Sequence, residues 1–327
     1  MDYRKADAKA AARAQFRGLW AAITTPFTPE GEVDEPGLRH NMRHYTDTLH
    51  IEGIFCTGVM GEFWALTSEE RRRIVEIVVE EARGKCRVIA HTGHTSAHEA
   101  LSLTRHAQDV GADFAVILNP YYPPAPEAGL YDWFAFVAQR VEIGIWLFDT
   151  SYAAYELSPR LIDRLADLPN ICGIKLARPL ERYRAVKEQC ADRLVLSHPS
   201  EPLWLSLIRD HGQQVHMSSP APYLFQTKDR LPLREYTELA LNGQFPAAEA
   251  IARDLEPARE LNEQWVQLKW QRERIAPIAA IKAWSELMGM AAGPVRPPLV
   301  PLSEAEHARL RAELAGAGLL DARLVSA

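Results

Sequence analysis

Short apolar runs alternate with longer amphipathic stretches from residue 19 to residue 218 of the chain. Each run is short and almost wholly apolar, which is typical of strands that are buried on both faces of a parallel sheet. The eight runs are Leu19–Thr24, Gly53–Gly58, Arg87–His91, Asp113–Leu118, Gly144–Phe148, Ile171–Lys175, Arg193–Ser197 and Gln213–Ser218.

The stretches between these runs have the period of a helix. In the segment 68–82, Ile74, Val75, Val78 and Val79 recur at helical spacing. Strands that alternate with helices eight times predict a (β/α)8 barrel. A doubly wound sheet is the alternative, because periodicity cannot show whether the sheet closes on itself. The predicted helices are Ser68–Ala82, Ala97–Val110, Gly129–Arg140, Ser158–Leu168 and Leu180–Cys190.

The two ends of the chain differ from this pattern. Residues 1–17 are polar and alanine-rich, which predicts a short helix or a loose arm. After residue 231 no further strand is predicted, and prolines between 294 and 301 interrupt the chain before its last helix. We therefore expect a barrel over 18–231 and a helical extension over 232–327, with helices at Glu235–Leu261, Val266–Met288 and Glu304–Leu314.

Composition mainly excludes classes of partner. The 327 residues carry a net charge of −6, so no basic field attracts nucleic acid or anionic lipid. No run approaches the roughly 18 apolar residues of a membrane span. The four cysteines are scattered, with no CxxC pair, which favours a reducing cytoplasm. We expect a cytoplasmic protein with a small-molecule ligand.

Candidate chemistry lies at the carboxyl ends of the predicted strands, where barrels of this type place their active sites. Lys175 ends the apolar run ICGIK. Burial there would lower its pKa and leave a neutral amine that can attack a carbonyl, although a lysine leading out to solvent is an equal alternative. The loop 58–62 carries two glycines, whose tight turn could aim backbone N–H groups at a carboxylate.

Several motifs together resemble the dihydrodipicolinate synthase and N-acetylneuraminate lyase family of class I aldolases and lyases, from about residue 18 to 320. This resemblance implies a (β/α)8 barrel with a helical extension, often assembled as a tetramer. It implies Lys175 as the Schiff-base lysine for pyruvate or another 2-oxo acid, with no cofactor and no metal. The motifs are Thr25-Pro26-Phe27, GVMGEFWALTSEER at 58–71, Pro120-Tyr121-Tyr122, Gly173-Ile174-Lys175, Pro277 with Lys282, and Val295-Arg296-Pro297-Pro298-Leu299.

The chain departs from the family at positions that matter. Two loop hydroxyl residues are replaced by Val59 and Met60, and the tyrosine that ends strand five and relays protons is replaced by Phe148, which cannot move a proton. Histidines stand where glycine is common, at His91 after strand three and at His198 after strand seven.

These departures allow two interpretations. In a rebuilt site, His198, His91 or Asp149 replaces the lost proton relay, and Tyr122 aligns with a family tyrosine that supports it, often from a neighbouring subunit. In the alternative, the two histidines fill space and are hydrogen-bonded. We predict catalytic roles for Lys175, Asp149, His198 and Tyr122, and substrate contacts from Thr25, Val59, Met60, Glu62, His91, Phe148, Tyr152 and Ser218.

Three functions therefore stay open. The first is a Schiff-base lyase for a 2-oxo acid, catalysing aldol cleavage or addition, hydration–aldol cleavage or dehydration, but not a true dihydrodipicolinate synthase, and forming a homotetramer or homodimer. The second is a non-catalytic ligand-binding barrel. The third is a metal-dependent barrel enzyme using His91, His198, Asp149 and Glu62, whose side chains suit a divalent cation.

Overall fold

The fold is a nearly closed barrel of eight parallel strands. The computed structural model describes residues 2–122, 125–151, 153, 156–190 and 192–320, with Ser218 described through its backbone alone. From β1 to β7 each strand pairs with the next one in the chain, and β8 pairs with β1, so the predicted barrel is confirmed and a doubly wound order is excluded. The strands are β1 Gly18–Ala22, β2 Gly53–Cys56, β3 Arg87–His91, β4 Phe114–Leu118, β5 Gly144–Thr150, β6 Ile171–Ala177, β7 Val195–Ser197 and β8 Val215–Ser219.

Two side chains complete the seam between β7 and β8. Ser197 Oγ lies 3.0 Å from the carbonyl oxygens of Val215 and Met217 and accepts the Met217 N–H at 2.8 Å. The Gln213 amide donates to the carbonyl of Val215 at 2.9 Å and accepts the N–H of His198 at 2.9 Å. Polar side chains thus replace the main-chain ladder that joins the other described neighbours.

Seven helices alternate with the strands. The start of α3 is fixed by a capping box, in which Thr67 Oγ1 accepts the Glu70 N–H at 3.1 Å and the Glu70 carboxylate accepts the Thr67 N–H at 2.8 Å. A first helix, α1 Ala8–Gln15, precedes β1. The alternating helices are α2 Glu35–Arg43, α3 Ser68–Ala82, α4 Ala97–Val110, α5 Glu127–Ala138, α6 Pro159–Leu165, α7 Leu180–Cys190 and α8 Trp204–His211.

The long helices expected after the barrel are divided into shorter ones. Gly243 has φ +77° after the first of them, and Pro246 and Pro257 begin new helices because proline suits the first turn. The predicted bounds Glu235–Leu261 were therefore wrong. The bounds Val266–Met288 were also wrong, because the chain turns at Arg274, with φ 58°, and a new helix begins after Pro277. The observed helices are α9 Ala221–Leu224, α10 Pro232–Leu241, α11 Phe245–Ala252, α12 Glu256–Asn262, α13 Ile278–Leu287 and α14 Glu304–Gly316, with π-helical turns at Glu263–Gln267 and Lys269–Glu273.

The barrel interior is a separate, largely aromatic core. One apolar cluster lies between strands and helices, and a second, inner cluster fills the barrel. Helix α1 covers the amino ends of the strands, where the Phe16 ring lies 4.0 Å from Trp20, 4.7 Å from Phe114 and 4.2 Å from Trp146, centroid to centroid. This aromatic floor leaves the opposite end of the barrel for chemistry.

Candidate active site

Lys175 lies inside the barrel between two aromatic rings. Its Nζ is 4.7 Å from the centroid of Phe148, its register partner on β5, and 4.9 Å from that of Phe55 on β2. The residue is 5% exposed, and burial lowers the pKa of Lys175 from 10.5 to about 7. A substantial share of this amine is therefore neutral at pH 7, the form that attacks a carbonyl.

Strand alternation separates Phe148 from Asp149. Phe148 belongs to the inner cluster and Leu147 to the outer one, so Asp149 also faces the helices. Its Oδ1 lies 2.9 Å from both Nε and Nη2 of Arg178. Burial raises the pKa of Asp149, and the Arg178 cation opposes that shift. The structure therefore places the Asp149 carboxylate on the other face of β5, away from Lys175, and the proton relay for Asp149 stays a prediction that this position does not support.

His198 also faces the helix layer. Its Nε2–H donates to the Arg178 carbonyl at 2.9 Å, and its Nδ1 accepts the Ser200 N–H at 3.2 Å. The ring lies 6.2 Å from that of Tyr183 on α7, and burial lowers the pKa of His198. Both nitrogens are thus engaged in a neutral ring. The space-filling interpretation fits His198, and the predicted catalytic role does not.

His91 differs from His198 because it faces the barrel interior. Its Nδ1 lies 2.9 Å from the Thr57 carbonyl, to which it donates, and Arg71 binds the His91 carbonyl at 2.7 Å. The buried Nε2 has no hydrogen-bond partner among the residues that the structure describes. Burial, then Arg71 and Lys175, hold the pKa of His91 well below 6.5. A neutral imidazole with one open acceptor results.

The glycine loop after β2 presents apolar side chains to the interior. Val59 is buried in the inner cluster, and Met60 packs against both clusters. Thr25 Oγ1 donates to the Gly61 carbonyl at 2.9 Å, so Thr25 holds the loop. The predicted substrate contact from Thr25 would therefore compete with this hydrogen bond.

Glu62 binds the C-terminal extension. It has a left-handed backbone with φ 55°, and its carboxylate lies 2.8 Å from Lys282 Nζ and accepts the Arg296 N–H at 2.9 Å. Arg296 in turn pairs with Glu70 through two contacts of 2.6 and 2.8 Å. Both carboxylate oxygens bind the extension, so the substrate contact of Glu62 stays a prediction that these contacts do not support. Sequence reasoning missed these pairings.

The structure says less about three of the predicted site residues, Tyr122, Tyr152 and Ser218. The Tyr122 side chain is 74% exposed on the chain surface. Tyr152 lies outside the described residues, and the Ser218 side chain does as well.

Thr24 is a buried residue at the barrel mouth that lies outside the predicted set of substrate contacts. Trp20 and Ala22 face the interior and Ile23 faces outward, so Thr24 continues the alternation into the barrel mouth. Its Oγ1 is buried and has no hydrogen-bond partner among the described residues. Strand alternation counted from Trp20 could have found it.

The residues proposed for a metal do not converge. His91 faces the interior, whereas Asp149 pairs with Arg178 and Glu62 with Lys282. In the described part of the chain, no three His, Cys, Asp or Glu side chains form a group that could hold a metal ion. Nor does any helix there have the length and apolarity to cross a membrane.

Comparison with known proteins places this geometry in a family. The model of the dihydrodipicolinate synthetase family matches residues 15–317. The chain belongs to this family. Its members at this level of similarity are lyases, and so is this protein.

The similarity extends to curated relatives. A 4-hydroxy-tetrahydrodipicolinate synthase of Methanothrix thermoacetophila is 34% identical, with 90% of this chain and 95% of the relative covered. The enzyme of the same name from Alcanivorax borkumensis is 32% identical, with 94% and 100% covered.

Solved structures of the family share the fold. Dihydrodipicolinate synthase from Aquifex aeolicus superposes with a TM-score of 0.81 at 29% identity, covering 93% of this chain and 99% of that one. YagE, a prophage protein of this family from E. coli K12 solved in complex with pyruvate, gives a TM-score of 0.80 at 25% identity, with 93% and 99% covered.

Proposed function

We propose that this lyase forms a Schiff base between Lys175 and a 2-oxo acid. The observation that carries the proposal is the position of Lys175, buried in the barrel with its amine over the rings of Phe55 and Phe148. Burial of an ammonium there is costly. The same burial favours the neutral amine, which is the form that becomes an imine.

The chemistry follows from the amine. Neutral Lys175 attacks C2 of the 2-oxo acid, water leaves, and the protonated imine withdraws electrons from C3. A bond from C3 to a new carbon can then form or break. Backbone N–H groups of the loop at Val59 and Met60 would hold the substrate carboxylate, because these side chains offer no hydroxyl.

The same site favours a substrate other than that of 4-hydroxy-tetrahydrodipicolinate synthase. Phe148 cannot relay a proton, and Val59, Met60 and Phe63 make the mouth apolar. We expect a 2-oxo acid that is less polar than a sugar acid. The names of the curated relatives favour 4-hydroxy-tetrahydrodipicolinate synthesis as a second candidate, so formation of that product should be assayed in parallel.

Assembly is part of the proposal. The exposed Tyr122 ring would be covered in a homodimer or homotetramer, as the resemblance implies. Light scattering on the purified protein measures the mass, and a monomer at every concentration would contradict this assembly.

Imine trapping tests the function. The protein is incubated with pyruvate and with longer 2-oxo acids in the presence of borohydride, followed by intact mass and peptide mapping. We expect a reduced adduct on Lys175 and none in Lys175→Ala. Lys282, also buried, serves as an internal control that should stay unmodified because Glu62 holds it as a cation.

Failure would have a definite meaning. If no acid traps while a family enzyme does so under the same conditions, the Schiff-base function is excluded. A 2-oxo acid that raises the melting temperature without trapping would then support a ligand-binding barrel.

A further inference from the structure

We propose that His91 is the base that removes the C3 proton of the imine, in place of the missing strand-five tyrosine. This inference rests on the proposed Schiff-base function. His91 and Lys175 both point into the barrel, and the Phe55 ring contacts both, at 6.3 Å from the His91 ring centroid and 4.9 Å from Lys175 Nζ. In this proposal, C3 of a substrate bound to Lys175 lies beside His91 Nε2.

The surroundings of His91 fix its tautomer. The Thr57 carbonyl accepts a hydrogen bond of 2.9 Å from Nδ1–H. Arg71 Nη2 lies 3.4 Å from Nδ1 and 2.7 Å from the His91 carbonyl oxygen. The ring is also held at its edge by Phe63, 4.7 Å away. Nε2 therefore carries the lone pair, in a ring that cannot turn easily.

The open Nε2 itself points to a ligand. A buried acceptor without a partner is costly, and the described residues give Nε2 none. Since Nδ1 is already engaged, an incoming group can meet only Nε2, and it must bring a proton.

The other titratable candidates face away from the barrel interior. Asp149 is ion-paired with Arg178 outside the barrel, and both His198 nitrogens are hydrogen-bonded. Phe148, which stands at the tyrosine position, has no titratable group. Of the residues predicted to replace the relay, His91 alone combines an inward position with a free lone pair.

The proposed step balances as follows. The C3–H bond of the protonated imine breaks, and its proton passes to His91 Nε2. The C3–H electron pair forms the C2–C3 double bond, and the π pair of the C–N bond moves to nitrogen, giving a neutral enamine. The step reverses when the imidazolium returns its proton to C3.

Solvent exchange isolates this step from imine formation. In D2O, proton NMR follows the loss of the pyruvate methyl signal as deuterium replaces hydrogen at C3. We expect wild-type protein to catalyse exchange and His91→Gln to be slower by about 100-fold or more, the range for a lost general base. Borohydride trapping on Lys175 should be unchanged in that variant.

A matched control uses the second buried histidine. His198→Gln removes an imidazole of similar burial that faces the helices, and its exchange rate should equal that of wild type. A second variant, His91→Gly, opens a cavity for added imidazole, which should restore exchange in proportion to its concentration.

The outcomes are distinct. Trapping that persists in His91→Gln with undiminished exchange, or a His91→Gly protein that imidazole does not rescue, overturns the role of His91 and leaves the Schiff-base function standing. Loss of trapping together with exchange in His91→Gln also overturns it, because His91 would then serve imine formation or the fold. Wild-type protein that forms no imine overturns both proposals.

Discussion

Two buried lysines, Lys175 and Lys282, have similar burial and different surroundings. Each lies over an aromatic ring, Lys282 Nζ at 4.0 Å from Phe27 and Lys175 Nζ at 4.7 Å from Phe148. Lys282 also has the Glu62 carboxylate at 2.8 Å and donates to the Pro294 carbonyl at 2.7 Å. Burial lowers the pKa of both, but at Lys282 the charge of Glu62 opposes the shift.

The difference shows which surroundings favour a neutral amine on a buried lysine. A ring is common to both sites, so cation–π attraction does not distinguish them. The carboxylate does, because it stabilises the ammonium of Lys282 and joins the extension to the barrel. At Lys175 burial lowers the pKa, so the charged form is disfavoured and the neutral amine is favoured.

The largest expected effect is on stability. In the folded protein the pKa of Lys175 is about 7, whereas in the unfolded chain it is near 10.5, so folding disfavours the charged form. Each pKa unit corresponds to about 1.4 kcal/mol, and the penalty below pH 7 is on the order of 5 kcal/mol.

Lys175→Met should therefore raise the free energy of unfolding most at pH 6. The gain should fall as pH rises from 7 towards 10.5, because the wild-type fold no longer carries the charge while the unfolded chain still binds a proton. Urea unfolding at several pH values measures this, and a gain that does not depend on pH would contradict the lowered pKa.

Breaking the ion pair should have the opposite sign. Glu62→Ala leaves Lys282 buried without its carboxylate, and we expect a loss of about 3–5 kcal/mol in the free energy of unfolding. The double variant Glu62→Ala/Lys282→Met should recover part of that loss, since it removes the uncompensated charge. A double variant as unstable as Glu62→Ala would show that the uncompensated charge of Lys282 is not the cause of the lost stability.

The rate of imine trapping should follow the Lys175 amine. Well below the pKa of about 7 the neutral fraction rises tenfold per pH unit, so the rate should rise about 50-fold between pH 5 and pH 7 and level off above. Initial trapping rates with cyanoborohydride measure this. A trapping rate that keeps rising to pH 10 would show that the pKa of Lys175 has its ordinary value.

The smallest expected effect comes from placing a carboxylate next to Lys175, as Glu62 lies next to Lys282. Phe148→Glu introduces a carboxylate where the ring now lies, and a shift of one pKa unit would slow trapping at pH 6 about tenfold. Phe148→Gln has nearly the same shape without the charge and serves as the control. Equal rates in the two variants would contradict a role for charge.

Local patterns predicted the barrel and identified Lys175 as a candidate, with a buried amine and a solvent-exposed one as equal alternatives. Buried strands are short apolar runs, and a lysine at the end of one is visible in a single sequence. The same period-two rule could have excluded Asp149, because adjacent residues of a strand face opposite sides and Phe148 already faces inward.

The remainder depends on contacts between distant segments. Glu62 and Lys282 are far apart in the chain, so nothing local distinguishes a glutamate that binds an extension from one that binds substrate. The hydrogen bonds of His198 and the open Nε2 of His91 likewise come from tertiary neighbours. Residue type alone made these two histidines equal candidates.

The floor formed by α1 has a consequence for how the chain is made. Residues 8–15 are synthesised before every strand of the barrel, yet the ring of Phe16 packs on Trp146 and its carbonyl accepts a hydrogen bond of 2.6 Å from Gln214. The helix can take its final place only when the last strand has left the ribosome. Its docking therefore closes a very long loop, a step that is slow compared with the pairing of neighbouring elements.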